Sequence, residues 1–248
     1  MSSTNFYDLF HLNSKISRSV INKNNITYIE IIRELEEILP NNKINILDYG
    51  CGVGSLSLYL SSLGHNVIGT DISEKSINIA NKSKVYFNKK IQKVKFLTLK
   101  DFFKLKNIKF DFILCIEVIE HVGNDLKLLK QFHKLLTNNG YVFLTTPSLN
   151  APLYRLGLLK KFDAQVGHLR RYNKGMLLKI FYNSGFKIIK LYKKEGVMRN
   201  YLFTNSKFGI LLKLINKLIS VPFTFIDKLS IPIFGESNLH ILAQKISK

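Results

Sequence analysis

The chain has 248 residues, 46% of them hydrophobic, with mean hydropathy near zero and a formal charge of +20 from 37 basic and 17 acidic side chains. Such a composition describes a globular chain with a substantial core and excludes a disordered chain or a polytopic membrane protein. Two cysteines, Cys51 and Cys115, support neither a disulfide framework nor a metal cluster, and the polar start Met1-Ser-Ser-Thr-Asn carries no signal peptide, so a reducing cytosol is the expected compartment.

In chain order, Tyr28 to Leu39 sets apolar and acidic residues at helical spacing and stops at Pro40, which predicts a helix closing an amino-terminal segment at residues 1–40. Strands are predicted at about 44–48, 66–71, 94–99, 111–117 and 141–146, with helices at about 54–63, 74–89 and 124–137. This alternation implies a parallel sheet with helices on both faces. Asn173 to Ser184 reads as a helix capped by Asn173 and stopped by Gly185, followed by a strand at 186–193 and a last strand at about 239–244.

The segment Ile44-Asn-Ile-Leu-Asp-Tyr-Gly-Cys-Gly-Val-Gly54 is a buried strand running into a glycine turn that opens a helix. Gly50 and Gly52 let the backbone turn sharply and lie flat against a ligand, and the helix behind them aims unpaired N–H groups at it. Asp71, at the end of the second strand, stands where it would accept both hydroxyls of a ribose. A nucleoside cofactor is therefore expected. A dinucleotide fingerprint would need its third glycine at position 55, which is Ser55, and Asp48 is badly placed for a pyrophosphate but well placed for a cation.

In these residues the chain resembles the class I S-adenosylmethionine-dependent methyltransferases, whose first motif is hydrophobic-hydrophobic-Asp-x-Gly-x-Gly-x-Gly. The resemblance implies an α/β fold: a Rossmann-like, doubly wound, seven-stranded and mostly parallel sheet. It would end in an antiparallel strand pair, the last strand inserted between the fifth and sixth, in a single methyltransferase domain over 1–248. It also implies S-adenosyl-L-methionine as cofactor, held by Asp48, Gly50, Cys51, Gly52, Gly54 and Asp71. Ile72 and Phe102 would cover the adenine, Asp101 would accept its amino group, and Ile116 would complete the set.

At the tip of the fourth strand, Cys115-Ile-Glu-Val-Ile-Glu-His-Val122 gathers Glu117, Glu120 and His121 where an open α/β sheet places its acceptor. The segment resembles the Glu-x-x-Glu-His-Val motif of the branch holding the ubiquinone-biosynthetic O-methyltransferases and many sugar methyltransferases. In the quinone enzymes that motif is associated with magnesium, which would make Glu117, Glu120 and His121 ligands; two carboxylates suit a hard cation, an imidazole less so. Alternatively, His121 is a general base, or Glu117 and His121 shape the pocket and cap the next helix. His11, His65, His133 and His240 lie outside any cluster and read as ordinary surface or packing residues.

Gly167-His-Leu-Arg-Arg-Tyr-Asn173 offers two readings. His168, Arg170 and Arg171 form a compact cluster able to clamp a phosphate or carboxylate, with Tyr172 stacking on a sugar or quinone ring and His168 joining His121 and Glu117 in catalysis. In the other reading, Arg170 and Tyr172 tie the loop to the sheet. Residues 147–172 then form a lid and acceptor segment.

Residues 151–248 carry 18 basic and 4 acidic side chains, against 19 and 13 in residues 1–150. Such localisation points to an anionic partner: phospholipid, a pyrophosphate-linked substrate, or nucleic acid. Within a helical insertion at 207–234, Phe208 to Val221 places Lys213, Asn216, Lys217 and Ser220 on one face and aliphatics elsewhere. A helix at an anionic membrane interface and a lid packed over the sheet both fit it. The function expected is methyl transfer to oxygen, less readily nitrogen, of a small or lipid-linked acceptor such as a saccharide or quinone precursor. The enzyme would be cytoplasmic, with peripheral contact at the inner face of the membrane. An RNA methyltransferase is the alternative, weakened because Glu117-Val-Ile-Glu stands where base-targeting enzymes often carry an Asn/Asp-Pro-Pro-Tyr/Phe turn.

Overall fold

The structure is a computed structural model and describes residues 16–18, 20–21, 23–87, 93–204 and 220–246. His11 and residues 208–219 of the expected amphipathic stretch at 208–221 lie outside the described residues. Seven strands form one sheet: β1 (Asn45–Tyr49), β2 (Asn66–Asp71), β3 (Val94–Thr98), β4 (Phe110–Ile116), β5 (Leu136–Pro147), β6 (Phe186–Lys194) and β7 (Asn238–Lys245). Their order is β3-β2-β1-β4-β5-β7-β6; the first five are parallel, and β7 runs antiparallel to both its neighbours. This is the Rossmann-like arrangement with an inserted last strand that the resemblance implies.

Strands β1, β4 and β5 are apolar runs without alternation, because helices cover both faces; Leu47, Ile113, Leu114, Cys115, Val142, Phe143 and Leu144 are fully buried. One face packs Leu47, Ile113, Leu144 and Ile241 against Leu129 and Phe132 of α5 (Asp125–Leu135) and Leu177 and Phe181 of α8 (Lys174–Asn183). The other packs Ile46, Phe112, Phe143 and Leu242 against α1 (Ile29–Ile38), α2 (Ser55–Ser62) and α3 (Glu74–Lys84). Each such side chain contributes about 1.5–3 kcal/mol by leaving water. Asn173 caps α8 by accepting the Met176 N–H, and the chain leaves that helix through Gly185 at φ +83°.

Several elements go beyond the expected pattern. The third strand ends at Thr98, whose hydroxyl accepts the Asp101 N–H and starts the short helix α4 (Leu99–Phe102). Strand β5 begins at Leu136, paired with Phe110, well before the apolar run at Tyr141. A 3₁₀ turn covers Ile119–His121, and helices α6 (Pro152–Arg155), α7 (Lys160–Val166) and α9 (Val197–Thr204) fill stretches with no strong periodicity. Before β7, α10 (Ser220–Phe234) pins α9: the Asp227 carboxylate accepts the N–H groups of Gly196, Met198 and Arg199.

Candidate active site

A cavity of about 650 Å³ opens above the carboxyl ends of β1, β2 and β4, where the strand order reverses and such sheets bind ligands. Its wall includes Asp48, Gly50, Cys51, Gly52, Asp71, Ile72 and Ile116 on one side and Glu117, His121, Phe162, His168 and Arg171 on the other.

The glycine turn is fixed by hydrogen bonds to its surroundings. The N–H groups of Gly50 and Cys51 both donate to Thr70 O, at 2.8 and 3.0 Å. Asp71 accepts the Gly52 N–H at 2.8 Å through Oδ2 and the Ser73 N–H at 2.9 Å through Oδ1, so its carboxylate stands at the rim of the turn, oriented before any ligand arrives. Gly52 has φ +52°, a left-handed conformation that costs a residue with a Cβ atom. Asp48 is almost wholly buried and accepts the Ser57 hydroxyl at 2.5 Å. Burial pushes its carboxyl up to about 6, helped by the Asp71 charge.

Three expected cofactor contacts are displaced. Gly54 (φ +82°) is absent from the cavity wall; a Cβ there would lie 2.5 Å from the Phe96 ring, so its role is to let α2 start against β3. Asp101 does not line the cavity either, because its carboxylate accepts the Thr98 hydroxyl at 2.8 Å and pairs with Lys104 at 2.7 Å. Phe102 is 3% exposed and turns into the core beside Phe110. Leu99, the first residue of α4, lines the cavity on that side.

On the acceptor side, Glu117 sits at the strand tip with φ +53°. Its Oε1 accepts the Thr145 hydroxyl at 2.7 Å and the Asn238 amide at 2.8 Å. Glu120 is fully buried; Oε2 accepts the Thr146 hydroxyl at 3.0 Å, while Oε1 has no hydrogen-bond partner. Burial, then the Glu117 charge, push its carboxyl well above the usual range and favour the neutral acid. The Nε2 atoms of His121 and His168 lie 3.9 and 4.0 Å from Glu120 Oε1, and the two rings are 4.9 Å apart.

The tautomers follow from the partners. His121 Nδ1 is 3.0 Å from Gly167 O, and His168 Nδ1 is 2.9 Å from Asp163 Oδ1. Both partners are acceptors, so each Nδ1 carries a proton. Burial, then the neighbouring His168, hold the His121 imidazolium below its ordinary value and keep the ring neutral.

A magnesium ion does not fit this donor set. The structure groups Glu120, His121 and His168 within 4.8 Å of one another, and Glu117 is outside that group, its Oε1 held by Thr145 and Asn238. One carboxylate oxygen and two imidazole nitrogens lack the oxygen-rich shell that a hard cation demands.

The loop 167–173 divides differently from either expected reading. Arg170 pairs with Asp125 at 3.1 Å and donates to Gly123 O, outside the cavity. Tyr172 is fully buried and donates its hydroxyl to Asp125 at 3.0 Å, so it stacks on no ligand. Both tie the loop to α5. Arg171 does line the cavity, with its guanidinium held by Asp163 and stacked 4.9 Å from the Tyr154 ring.

A sequence profile described as a methyltransferase domain matches residues 25–191. The chain belongs to the methyltransferase-domain family. Among curated relatives, a ubiquinone biosynthesis O-methyltransferase of Pelagibacter ubique is 37% identical over 128 residues, covering 50% of each chain. A protein of the same description from Rickettsia prowazekii is 31% identical over 173 residues, covering 64% of this chain and 66% of its own length. The chain spans about half the length of the curated relatives it matches. Of solved structures, phosphoethanolamine N-methyltransferase 2 of Haemonchus contortus, in complex with S-adenosyl-L-methionine, aligns with TM-score 0.65 at 18% identity, over 99% of this chain and 57% of that one. At that identity the likeness is one of fold.

For a methyltransferase domain, the cavity also holds residues the sequence did not flag: Tyr28, Leu99, Thr145, Asn200, Phe203 and His240. His240 is not an ordinary packing residue. Its Nδ1 is 2.7 Å from Glu34, which also pairs with Lys194 at 2.7 Å, in a buried network joining α1 to β6 and β7. Only long-range pairing creates it, so no local pattern announces it.

Proposed function

We propose that the chain is an S-adenosylmethionine-dependent O-methyltransferase acting on a phenolic hydroxyl of a small or lipid-linked quinone precursor. The observation that carries this reading is the His168 imidazole at the cavity wall, backed at Nδ1 by the Asp163 carboxylate at 2.9 Å. The curated relatives are named for ubiquinone biosynthesis, which favours a quinone precursor over a saccharide or RNA.

The glycine turn and Asp71 would hold the adenosine, and buried Asp48 would face the cationic end of the amino-acid moiety. When bound there, S-adenosylmethionine supplies an electrophilic methyl group with a neutral thioether as leaving group. The residues of this chain then have two tasks, alignment and deprotonation. His168 Nε2 accepts the phenolic proton, and Asp163 stabilises the imidazolium that forms. Burial raises the Asp163 carboxyl, but hydrogen bonds from His168 and Arg171 outweigh it and hold the group below its ordinary value, keeping it charged. His121, whose Nδ1 faces the Gly167 carbonyl rather than a carboxylate, is the weaker base and positions the hydroxyl. Residues 147–172 form the acceptor side of the wall through Phe162, Val166, His168 and Arg171.

The test is methyl transfer from labelled S-adenosylmethionine to a panel of catechols, prenylated phenols, sugars and RNA. Methylated phenol as the main product, with His168→Gln lowering kcat by about 10²-fold or more, supports the reading. Transfer to sugar or RNA but not to phenols overturns it.

A further inference from the structure

Helix α10 is inverted relative to an ordinary surface helix. Its polar residues Ser220, Thr224 and Asp227 are buried against the protein, while Val221, Phe225, Leu229 and Ile233 face outward at a spacing of four residues. They are 43%, 65%, 60% and 74% exposed, and Ile226 and Phe234 beside them are 54% and 50% exposed. Arg155 Nη1 lies 3.4 Å from Phe234 O, so the end of α6, with the exposed Leu156 and Leu158 following it, adjoins the end of this helix. A contiguous outward apolar face of this kind marks a contact with something apolar. No helix among the described residues is long and apolar enough to cross a membrane.

The charge around the face selects the partner. All four carboxylates beyond residue 150 are spent internally. Asp163 holds His168 and Arg171, and Glu195 pairs with Arg199; Asp227 accepts three N–H groups of the α9 start, and Glu236 accepts from Ser148 and Asn150. None of them is exposed, whereas Arg155, Lys160, Lys161, Lys193 and Lys228 are. At the carboxyl end of α10, Arg155, Lys193, Ile231 and Ile233 line a second cleft together with the Glu236 carboxylate, which lies 3.3 Å from Lys193. A second copy of the chain would bring like charges together; a bilayer with anionic headgroups neutralises them and accepts the apolar face.

We infer that α10 docks the protein on anionic phospholipid, its outward apolar face entering the headgroup boundary and Lys228, Lys193 and Arg155 meeting lipid phosphates. Asp227 fixes α9 to α10, and Asn200, Phe203 and Thr204 of α9 line the main cavity. Docking therefore sets one wall of that cavity beside the membrane. The inference rests on this surface and stands whatever the acceptor.

The experiment is flotation of the purified full chain with vesicles of phosphatidylcholine alone and of phosphatidylcholine mixed with phosphatidylglycerol, at low and high salt. Flotation is expected with the anionic vesicles and much less with the neutral ones, weakening as salt rises. Phe225→Ser/Leu229→Ser/Ile233→Ser should reduce it by about tenfold or more while the melting temperature and S-adenosylhomocysteine binding stay as in the parent. Lys228→Glu/Lys193→Glu should reduce binding to anionic vesicles only. No flotation at low salt, or flotation untouched by the triple substitution, overturns the inference. So does a dimer that the triple substitution dissociates in light scattering, with no vesicle binding by the parent.

Discussion

Arg171 grips Asp163 through two hydrogen bonds, Nη2 to Oδ1 at 2.6 Å and Nε to Oδ2 at 2.9 Å. The carboxylate so held accepts the His168 Nδ1–H, which fixes the ring with Nε2 toward the cavity. Because Arg171 is 6% exposed, its loss leaves a half-buried anion without its cation. Arg171→Ala should therefore destabilise the fold by about 3–5 kcal/mol in urea melts, more than a surface ion pair would. Asp163→Asn keeps the shape but weakens the imidazolium partner; kcat should fall by about 10²-fold with S-adenosylhomocysteine affinity nearly unchanged. Equal loss of both would make Asp163 a structural residue only.

Asp48 gives a pH dependence with a definite sign. Its folded value of about 6 lies above the ordinary 3.8, so its ionisation opposes folding: the stability it contributes is full below about pH 4 and is lost as pH rises through 6. A cationic ligand reverses that preference by favouring the carboxylate. Cofactor affinity measured by calorimetry should fall as pH drops below 6, by up to about tenfold per unit. Asp48→Asn should flatten this profile and weaken binding, yet stabilise the ligand-free protein by about 1–3 kcal/mol at pH 8. A pH-independent affinity in the parent would separate Asp48 from the cofactor cation.

Gly54 and Asp71 should behave oppositely although they belong to one motif. Gly54→Ala drives a methyl group to 2.5 Å from the Phe96 ring at a left-handed φ, so it should cost about 2–4 kcal/mol of stability, read as a lower melting temperature. Asp71→Ala removes the hydrogen bonds expected to a ribose along with those to Gly52 and Ser73. It should weaken cofactor binding by about 1–3 kcal/mol with a smaller effect on folding.

Local signals made the sheet and the glycine turn legible. Apolar runs and glycine spacing sit within single elements, and β2 spans the residues read from the sequence. The Thr98-Leu-Lys-Asp101 stretch also carried a local signal, a residue able to cap a helix with an acid three positions on, and it explains why Asp101 turns to Thr98. Tyr172 and Arg170 look like recognition residues because aromatic and guanidinium groups suit ligands; their partner Asp125 lies 45 residues or more away in sequence, so the tie to α5 is invisible locally. The same holds for Glu120 and His168, whose loops meet through the Leu169 N–H on Glu120 O at 2.9 Å. The α10 surface was missed for another reason. A membrane interface and a packed lid both fit the insertion at 207–234, and only the inward turn of Asp227 shows which side of this helix is buried.

Were Glu117, Glu120 and His121 a magnesium site, Glu117 and Glu120 would have to turn their oxygens onto one ion. Glu117 would then give up Thr145 and Asn238, and Glu120 would have to ionise in a fully buried position. Burial raises both carboxyls, which works against the charge a hard cation needs. Activity should therefore survive a chelator in full and should not rise when magnesium is added back. Glu117→Gln should keep most of kcat, since an amide oxygen can still accept from Thr145 and Asn238. Glu120→Gln should likewise be mild, because a buried neutral acid is replaced by a neutral amide of the same shape. Activity abolished by a chelator and restored by magnesium, or a Glu117→Gln enzyme as inactive as Glu117→Ala, would reinstate the metal and displace His168 as the group that takes the proton.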